Sequence, residues 1–144
     1  MNGAATGDLH LPLALEVRAL AATQRRIAAF LAAGGCAGEV CFRVELVVEE
    51  VTMNLIRHAR PRGAGTAALH VRCEAGGAVL TIEDDGPAFD PLAAAPRPVG
   101  GALGGCHEGG FGLHLIRRNA EMTSYARSAA GMNRLELTFL MRPG

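Results

Sequence analysis

The segment VELVVEEVTMNLIRH, residues 44–58, is the most informative stretch of this sequence. Its apolar residues recur with the 3.6-residue period of an α-helix, which predicts one helix from about Glu39 to Ala59. Helical geometry then separates a buried stripe from an outward-facing one. The predicted buried stripe is Val44, Val48, Val51 and Leu55, and the predicted outward-facing residues are Glu45, Glu49 and Thr52.

Three polar residues of this helix follow one another at intervals of four. They are Glu50, Asn54 and His58, and apolar residues flank them on both sides. Glu50 lies about 40° around the helix axis from Asn54, whereas Glu49 lies about 140° away. A carboxylate and an amide among apolar neighbours cost free energy unless they have partners. Glu50 and Asn54 are therefore either structurally satisfied at a helix–loop junction or part of a functional site.

The elements on either side of this helix predict the fold class. We expect strands over 9–13, 67–74, 78–84, 123–128 and 134–141, and further helices over 15–33 and 113–122. A turn at Gly76–Gly77 joins the second and third strands. In the last strand Leu135, Leu137, Phe139 and Met141 should face inward. This order predicts an α+β fold, a two-layer sandwich in which helices cover one face of a mostly antiparallel sheet. The length fits one domain over residues 1–144.

Asp84 is a second unusual polar residue. It ends the predicted strand over 78–84 and falls on the same face as Leu80 and Ile82. One interpretation is that Asp84 caps the turn that begins at Asp85 and Gly86. The other is that its carboxylate accepts a hydrogen bond from the amino group of a ligand at the floor of a pocket.

A glycine-rich segment follows. Residues 86–112 hold 8 of the 19 glycines and four prolines, and a loop of that length is usually a lid or a binding loop. It ends in GGFG, residues 109–112, directly before a predicted helix. Backbone amides and the helix dipole favour an anion at such a position. The spacing differs from the GxGxxG fingerprint of dinucleotide-binding proteins.

The composition excludes several kinds of chemistry. All 14 basic residues are arginine, so there is no Walker P-loop lysine, no kinase strand lysine and no Schiff-base lysine. A bound phosphate must be held by arginine, backbone amides or a metal ion. The 14 acidic residues bring the net charge to zero, which gives no reason to expect nucleic acid or an anionic membrane as a partner.

The cysteines and the hydropathy bear on location. Cys36, Cys41, Cys73 and Cys106 include no CxxC pair, a pattern that favours free thiols in a reducing compartment. The sequence has no N-terminal signal pattern and no apolar run of about 18 residues. We therefore expect a cytoplasmic protein without a membrane span.

Taken together, three motifs resemble the N, G1 and G2 boxes of the GHKL ATPase superfamily. EEVTMNLIRHA (49–59), DDGPAFDP (84–91) and GGFGLHLIRR (109–118) are similar to the motifs of one branch, the bacterial anti-sigma-factor serine-protein kinases. The resemblance spans essentially the whole chain. It implies the histidine-kinase-like ATPase domain, a GHKL ATP-binding fold with a long ATP lid.

The resemblance implies a role for the two helix residues. Glu50 would be the general base that activates the attacking hydroxyl or water, a task that suits a carboxylate whose pKa burial can adjust. Asn54 would supply the side-chain oxygen that ligates Mg²⁺, the ion that accompanies ATP. His58 also matches the family pattern, as a structural residue.

The other motifs would hold the nucleotide. By resemblance, Asp84 would accept a hydrogen bond from the adenine amino group, and Gly86 would allow the turn beside the base. In the G2 segment, Gly110, Phe111 and Gly112 would lie against the phosphates, and the two glycines would offer backbone amides to them. Residues 91–108 would fold over the nucleotide as the lid.

The implied function is that of an ATP-binding anti-sigma factor with serine/threonine-protein kinase activity towards an anti-sigma antagonist. A sigma factor and that antagonist would be its partners, ATP and Mg²⁺ its cofactors, and a homodimer its usual state.

Where many relatives carry arginine before the G2 glycines, this chain has His107 and Glu108. The family's adenine-contacting threonine has no clear counterpart near the last hairpin, where Thr138 is a candidate. Two alternatives therefore stay open: a nucleotide-gated protein-binding module without phosphotransfer, and a detached histidine-kinase catalytic domain.

Overall fold

The structure is a computed structural model that describes residues 7–63, 65–88 and 115–143. The G2 residues Gly110, Phe111 and Gly112 lie outside the described residues, as do the expected 91–108 lid and Cys106. Within the described ranges, no helix has the length and hydropathy that a membrane crossing requires.

Five strands form one sheet in the spatial order β1-β2-β3-β5-β4, and every neighbouring pair is antiparallel. The strands are β1 (Leu9–Pro12), β2 (Ala67–Glu74), β3 (Gly77–Asp84), β4 (Met122–Arg127) and β5 (Asn133–Phe139). The predicted α+β sandwich with an antiparallel sheet is confirmed. The expected 113–122 helix is described only over residues 115–119 (α3), and β4 already begins at Met122.

Two long helices complete the described architecture. They are α1 (Val17–Ala33) and α2 (Gly38–Asn54). The single helix predicted to Ala59 changes character after Asn54, where a π-helical turn (Leu55–Ala59) and a 3₁₀ turn (Arg60–Arg62) follow. Gly63 ends this segment in the left-handed conformation, with φ of 107°.

One hydrophobic core lies between the sheet and the helices. The apolar faces of the strands contribute Leu69, Val71, Leu80, Ile82, Leu135, Leu137 and Phe139, and α2 contributes Val40, Val44, Val47, Val48 and Val51. Two expectations about facing were wrong. Thr52, predicted outward, is 0% exposed, and Met141, predicted inward, is 57% exposed.

Both errors have a physical cause. Thr52 follows Val48 by one helical turn, on the side of α2 that packs against α1, where Gln24 donates a hydrogen bond to the Glu45 carbonyl (3.2 Å). That side is therefore covered as well. Met141 is exposed because β5 ends at Phe139, so the alternation of the strand no longer governs it.

The β2–β3 turn is shifted by one residue from the predicted Gly76–Gly77. Its two central residues are Ala75 and Gly76, with φ of 51° and 84°. Gly77 is instead the first residue of β3, where an added Cβ would lie 2.2 Å from the Phe139 carbonyl oxygen. Glycine is needed at position 77 because of this close approach.

The start of α2 is tied to the start of β3. The Ala37 N–H, just before α2, donates to the Gly76 carbonyl at 3.2 Å. With 17 helical residues and 8 strand residues, both elements extend about 24 Å. The buried valines of α2 pack against the sheet. From the shared starting point and the similar lengths we expect Asn54 and Asp84 to lie towards the same end of the molecule.

Candidate functional site

Glu50 lies on the last turns of α2 and is half-buried. Burial raises the pKa of its carboxyl above the ordinary value, and the positive charge of Arg57 opposes that rise only in part. The neighbouring Glu49 is exposed. Of the two adjacent glutamates, Glu50 is therefore the one whose environment favours accepting a proton.

Asn54, one turn further along α2, carries an unsatisfied oxygen. Its Oδ1 atom is buried and has no hydrogen-bond partner among the described residues. An unpaired buried acceptor costs on the order of 1–3 kcal/mol, so such atoms are rare and usually have a reason. The interpretation of Asn54 as a structurally satisfied residue therefore finds no support in the described part of the chain.

The chemistry of this oxygen fits the expected cation. Mg²⁺ prefers oxygen ligands and binds proteins through only one or two side chains, because the substrate phosphates and waters complete its coordination. An amide oxygen that is buried, neutral and unused meets that requirement. Asn54 is thus a fitting ligand for Mg²⁺ brought by a nucleotide.

Asp84 ends β3 with a buried side chain, 7% exposed. Its Oδ1 atom accepts hydrogen bonds from the Gly86 N–H (2.8 Å) and from Asn133 Nδ2 (3.1 Å). The turn-capping interpretation is therefore correct for Oδ1. No described residue donates to Oδ2, so one carboxylate oxygen is left to accept from a ligand.

Asn133 is a site residue that the sequence analysis missed. It lies directly opposite Asp84 in the β3–β5 register and is 6% exposed. Besides Asp84, its Nδ2 atom donates to the carbonyls of Gly86 (3.2 Å) and Pro87 (2.9 Å). Asn133 therefore fixes both the carboxylate and the turn that follows it.

Residues of β4 complete this network. Asn133 Oδ1 accepts from the Tyr125 hydroxyl and from Arg127 Nη1 (3.0 Å). Arg127 Nη1 also donates to the Gly86 carbonyl at 3.2 Å. The G1 turn is thus held by a tyrosine, an asparagine and an arginine, and this arginine places a positive charge beside it.

Thr138 does not belong to this site. It pairs with Val79 in the β3–β5 register, whereas Asp84 pairs with Asn133 at the other end of the same ladder. Thr138 also alternates onto the opposite face of the sheet, because the core-facing residues around it are Leu137 and Phe139. The polar residue on β5 beside Asp84 is Asn133.

Asp85 anchors the neighbouring loop. Its exposed carboxylate accepts from the N–H groups of Gly65 (2.7 Å) and Thr66 (3.0 Å), and these bonds lower its pKa. Asp84 and Asp85 therefore have different tasks: the first is buried beneath the G1 turn, and the second holds the entry to β2.

Of the sequence-predicted site residues, the structure places Glu50 and Asn54 on the last turns of α2, Asp84 at the end of β3 and Gly86 in the turn that follows. His58 is exposed in the π-helical turn that follows Asn54.

Known proteins share this sequence pattern and this fold. The family described as histidine kinase-like ATPase domain matches residues 13–139. A serine/threonine-protein kinase, BtrW of Bordetella bronchiseptica, is 35% identical over 99 residues, which cover 67% of this chain and 68% of that protein.

A solved structure has a similar fold. It is the crystal structure of the RsbU and RsbW domains of Rv1364c from Mycobacterium tuberculosis, with a TM-score of 0.64 and 16% identity. The match covers 96% of this chain but only 34% of that one. The similarity to BtrW agrees with the kinase branch that the motifs resemble. The chain belongs to the histidine kinase-like ATPase domain family, the GHKL ATPases.

Proposed function

We propose that this protein is an ATP-binding anti-sigma factor with serine/threonine-protein kinase activity towards an anti-sigma antagonist. It would act as a single domain over residues 1–144, as a cytoplasmic homodimer, and with Mg²⁺. One observation carries the proposal: the buried, unpartnered oxygen of Asn54 lies one turn from Glu50 on the last turns of α2.

The proposal assigns nucleobase recognition to Asp84. Its Oδ1 atom is occupied by Gly86 and Asn133, so Oδ2 would accept the amino hydrogen of adenine. Guanine would place a carbonyl oxygen there, and two acceptors facing each other are unfavourable. We therefore expect ATP to bind more tightly than GTP. Gly110, Phe111 and Gly112 would hold the phosphates.

The proposed chemistry is phosphoryl transfer to a serine hydroxyl. The serine oxygen would attack the γ-phosphorus, the bond between that phosphorus and the β,γ-bridging oxygen would break, and Glu50 would take the hydroxyl proton. Burial of Glu50, which raises its pKa, suits it to receive that proton. Mg²⁺ held at Asn54 would neutralise phosphate charge. The Arg127 charge is committed to the G1 turn.

Glu108 favours a second candidate function. A glutamate stands where many relatives carry arginine before the G2 glycines, and a negative charge near the γ-phosphate would oppose transfer. The second candidate is a nucleotide-gated protein-binding module that holds its partner without phosphotransfer. Both candidates require nucleotide binding, so only an assay of transfer separates them.

The discriminating experiment follows labelled phosphate from Mg-ATP onto candidate antagonist proteins. The kinase proposal predicts an acid-stable label on serine that is lost in Glu50→Gln and retained in Glu49→Gln, a matched control at the adjacent exposed carboxylate. Tight ATP binding without phosphate transfer to any candidate protein would contradict the kinase proposal and support the binding module. An acid-labile label would indicate phosphohistidine and contradict the serine assignment.

A further inference from the structure

Three potential metal ligands lie together on the outer face of the sheet, away from the helices. They are Asp8, His10 and His70, and one ligand atom of each lies within 4.8 Å of those of the other two. None of the three takes part in the candidate nucleotide site, which faces the helix layer. The proposed function leaves this cluster unexplained.

The strand register produces the cluster. His10 on β1 is directly opposite His70 on β2, so both side chains leave the same face of the sheet. The two rings are stacked, with centroids 4.1 Å apart and planes within 7° of parallel. Asp8 precedes His10 by two residues and therefore shares that face, with its Oδ2 atom 2.9 Å from His70 Nε2.

A purely structural interpretation explains each of these contacts separately, but it gives no reason for three potential ligands to meet at one place. An aspartate–histidine contact and a ring stack would hold β1 against β2, but the contact is partly exposed, since the side chain of His70 is 28% exposed and that of Asp8 is 40% exposed. Exposed ion pairs contribute about 0–1 kcal/mol. The convergence of two imidazoles and a carboxylate is, in contrast, the ligand set of a divalent transition metal.

We propose that Asp8, His10 and His70 bind a divalent transition-metal ion, with Zn²⁺ the expected occupant. Two nitrogen ligands and one oxygen ligand would leave the fourth tetrahedral position to water. Zinc–ligand distances of about 2.1 Å place tetrahedral donors about 3.4 Å apart, so the donor atoms must rearrange and the rings must tilt out of their stack. Asp8 and His10 are exposed, which leaves their side chains free to make this adjustment.

The charges around the cluster permit a cation. Arg72, the nearest positive charge on β2, is paired with Glu74 at 2.7 Å, and Arg134 is paired with Glu83 at 3.6 Å. Both arginines thus pair with glutamates, although Arg72 still interacts with the charge of Asp8. A bound ion would crosslink the four-residue edge strand β1 to β2 and stabilise the folded state by an amount that grows with the logarithm of the free metal concentration above the dissociation constant.

The test uses the full chain without an affinity tag, treated with chelator, with its thiols reduced and without nucleotide. Co²⁺ serves as the spectroscopic probe and Zn²⁺ as the competitor. We expect one equivalent of Co²⁺ to bind, with visible d–d bands, without the intense near-ultraviolet band of a cobalt–thiolate bond, and with displacement by Zn²⁺. Zn²⁺ should also raise the melting temperature.

Variants identify the ligands. His10→Ala and His70→Ala should each weaken Co²⁺ binding about tenfold or more, whereas His58→Ala, the control at the remaining described histidine, should not. Cys36→Ser/Cys73→Ser should also bind as the wild type does. Should an alanine variant fail to fold by circular dichroism, Asp8→Asn, outside the strand, provides the same test. A thiolate band, a signal insensitive to the histidine and aspartate variants, or no saturable binding below about 100 μM would each overturn the proposal.

Discussion

Asp84 and Asn133 form the most specific residue pair of the candidate site. Each is buried, each stands on an otherwise apolar strand face, and their side chains are joined across the β3–β5 ladder. Buried polar groups are costly unless they are paired, and this pair is satisfied by Gly86, Tyr125 and Arg127 as well. No described residue donates to the Oδ2 atom of Asp84, so this oxygen can accept a hydrogen bond from a ligand.

Asp84→Asn should weaken ATP binding while leaving the fold intact. The amide keeps the size of the side chain but replaces one acceptor oxygen with a donor, so the charged hydrogen bond to adenine is lost, a cost of about 1.5–3 kcal/mol or roughly 10- to 100-fold in affinity. Calorimetric titration measures it. Asp85→Asn is the control, because Asp85 only holds Gly65 and Thr66. Equal affinities in wild type and Asp84→Asn would refute the adenine assignment.

Glu50 should make stability depend on pH. Its folded-state pKa is raised above the ordinary value of 4.5, chiefly by burial, so the charged form is disfavoured by folding. Below pH 4.5 the group is protonated in both states, and the penalty appears as the pH rises through the folded pKa. Glu50→Gln should therefore have a higher melting temperature than wild type at pH 7, and the difference should shrink on acidification.

The exposed Glu49→Gln provides the comparison in the same melting series. A surface substitution usually changes stability by less than about 0.5 kcal/mol. If Glu50→Gln is no more stable than wild type at pH 7, burial does not act on this carboxyl as described.

At the scale of elements, α2 carries both the core and the site. It is buried on the side facing the sheet and on the side facing α1, and its last turns hold two oxygens without described partners, Thr52 Oγ1 and Asn54 Oδ1. The two residues are about 160° apart around the helix axis, so they point in different directions. Thr52 is fully buried on the side facing α1, whereas Asn54 is the last residue of the helix.

Thr52→Val should therefore stabilise the protein. Valine has nearly the same shape, and it removes a fully buried hydroxyl without a described partner, so we expect a gain of about 1 kcal/mol in the free energy of unfolding. Urea denaturation measures the change. A loss of stability would mean that the hydroxyl has a partner in the folded protein.

The elements of the sheet could largely be predicted from alternation. β2 begins and ends at the predicted Ala67 and Glu74, because its polar and apolar residues alternate without a break. Asn133 is not among the predicted site residues because it lies one residue before the predicted start of the last strand at Arg134. Counting back from Leu135 by two places Asn133 on the core face, the same signal that identified Asp84.

What could not be predicted depends on contacts between elements. The helical period gives the angle between residues of α2, but it does not say that α1 covers a second side, so Thr52 was placed outside. The change to a π-helical turn after Asn54 likewise leaves no mark in the hydrophobic period. The hydrogen bond that ties the start of α2 to the start of β3 is likewise a contact between elements that no local pattern predicts.

On the scale of the whole molecule, Arg43 connects α2 to the end of the chain. This buried guanidinium bonds to Glu39 (2.9 Å), to Glu121 (3.0 Å) and to the carbonyls of Asn119 and Leu140. Burial would raise the pKa of Glu121, but hydrogen bonds from the Leu140 N–H, Arg142 and Arg43 lower it to about 2. These contacts, which we call the Arg43 cluster, join α2, α3 and the residues after β5.

Glu121→Gln should lower stability in a pH-dependent way. A lowered folded pKa contributes stability that is present above the unfolded value of 4.5 and is lost as the pH falls towards about 2. Because the side chain is 23% exposed, we expect a modest loss of about 1–2 kcal/mol at pH 7. Urea unfolding at several pH values should show the difference from wild type closing on acidification.

Glu136→Gln serves as the matched control, because Glu136 forms only a surface pair with Arg134 at 3.6 Å. It should change stability by less than about 0.5 kcal/mol. If the loss of stability in Glu121→Gln stayed constant from neutral to acidic pH, it would be inconsistent with an ionised Glu121 in the Arg43 cluster.

The central claim is that the unpartnered oxygen of Asn54 binds the Mg²⁺ that ATP carries. Calorimetric titration of ATP with and without Mg²⁺ tests it in wild type, in Asn54→Ala and in Thr52→Val, which removes the other unpartnered oxygen of α2. We predict that Mg²⁺ strengthens ATP binding in wild type and in Thr52→Val, and that this gain disappears in Asn54→Ala. A gain of the same size in Asn54→Ala would contradict the account.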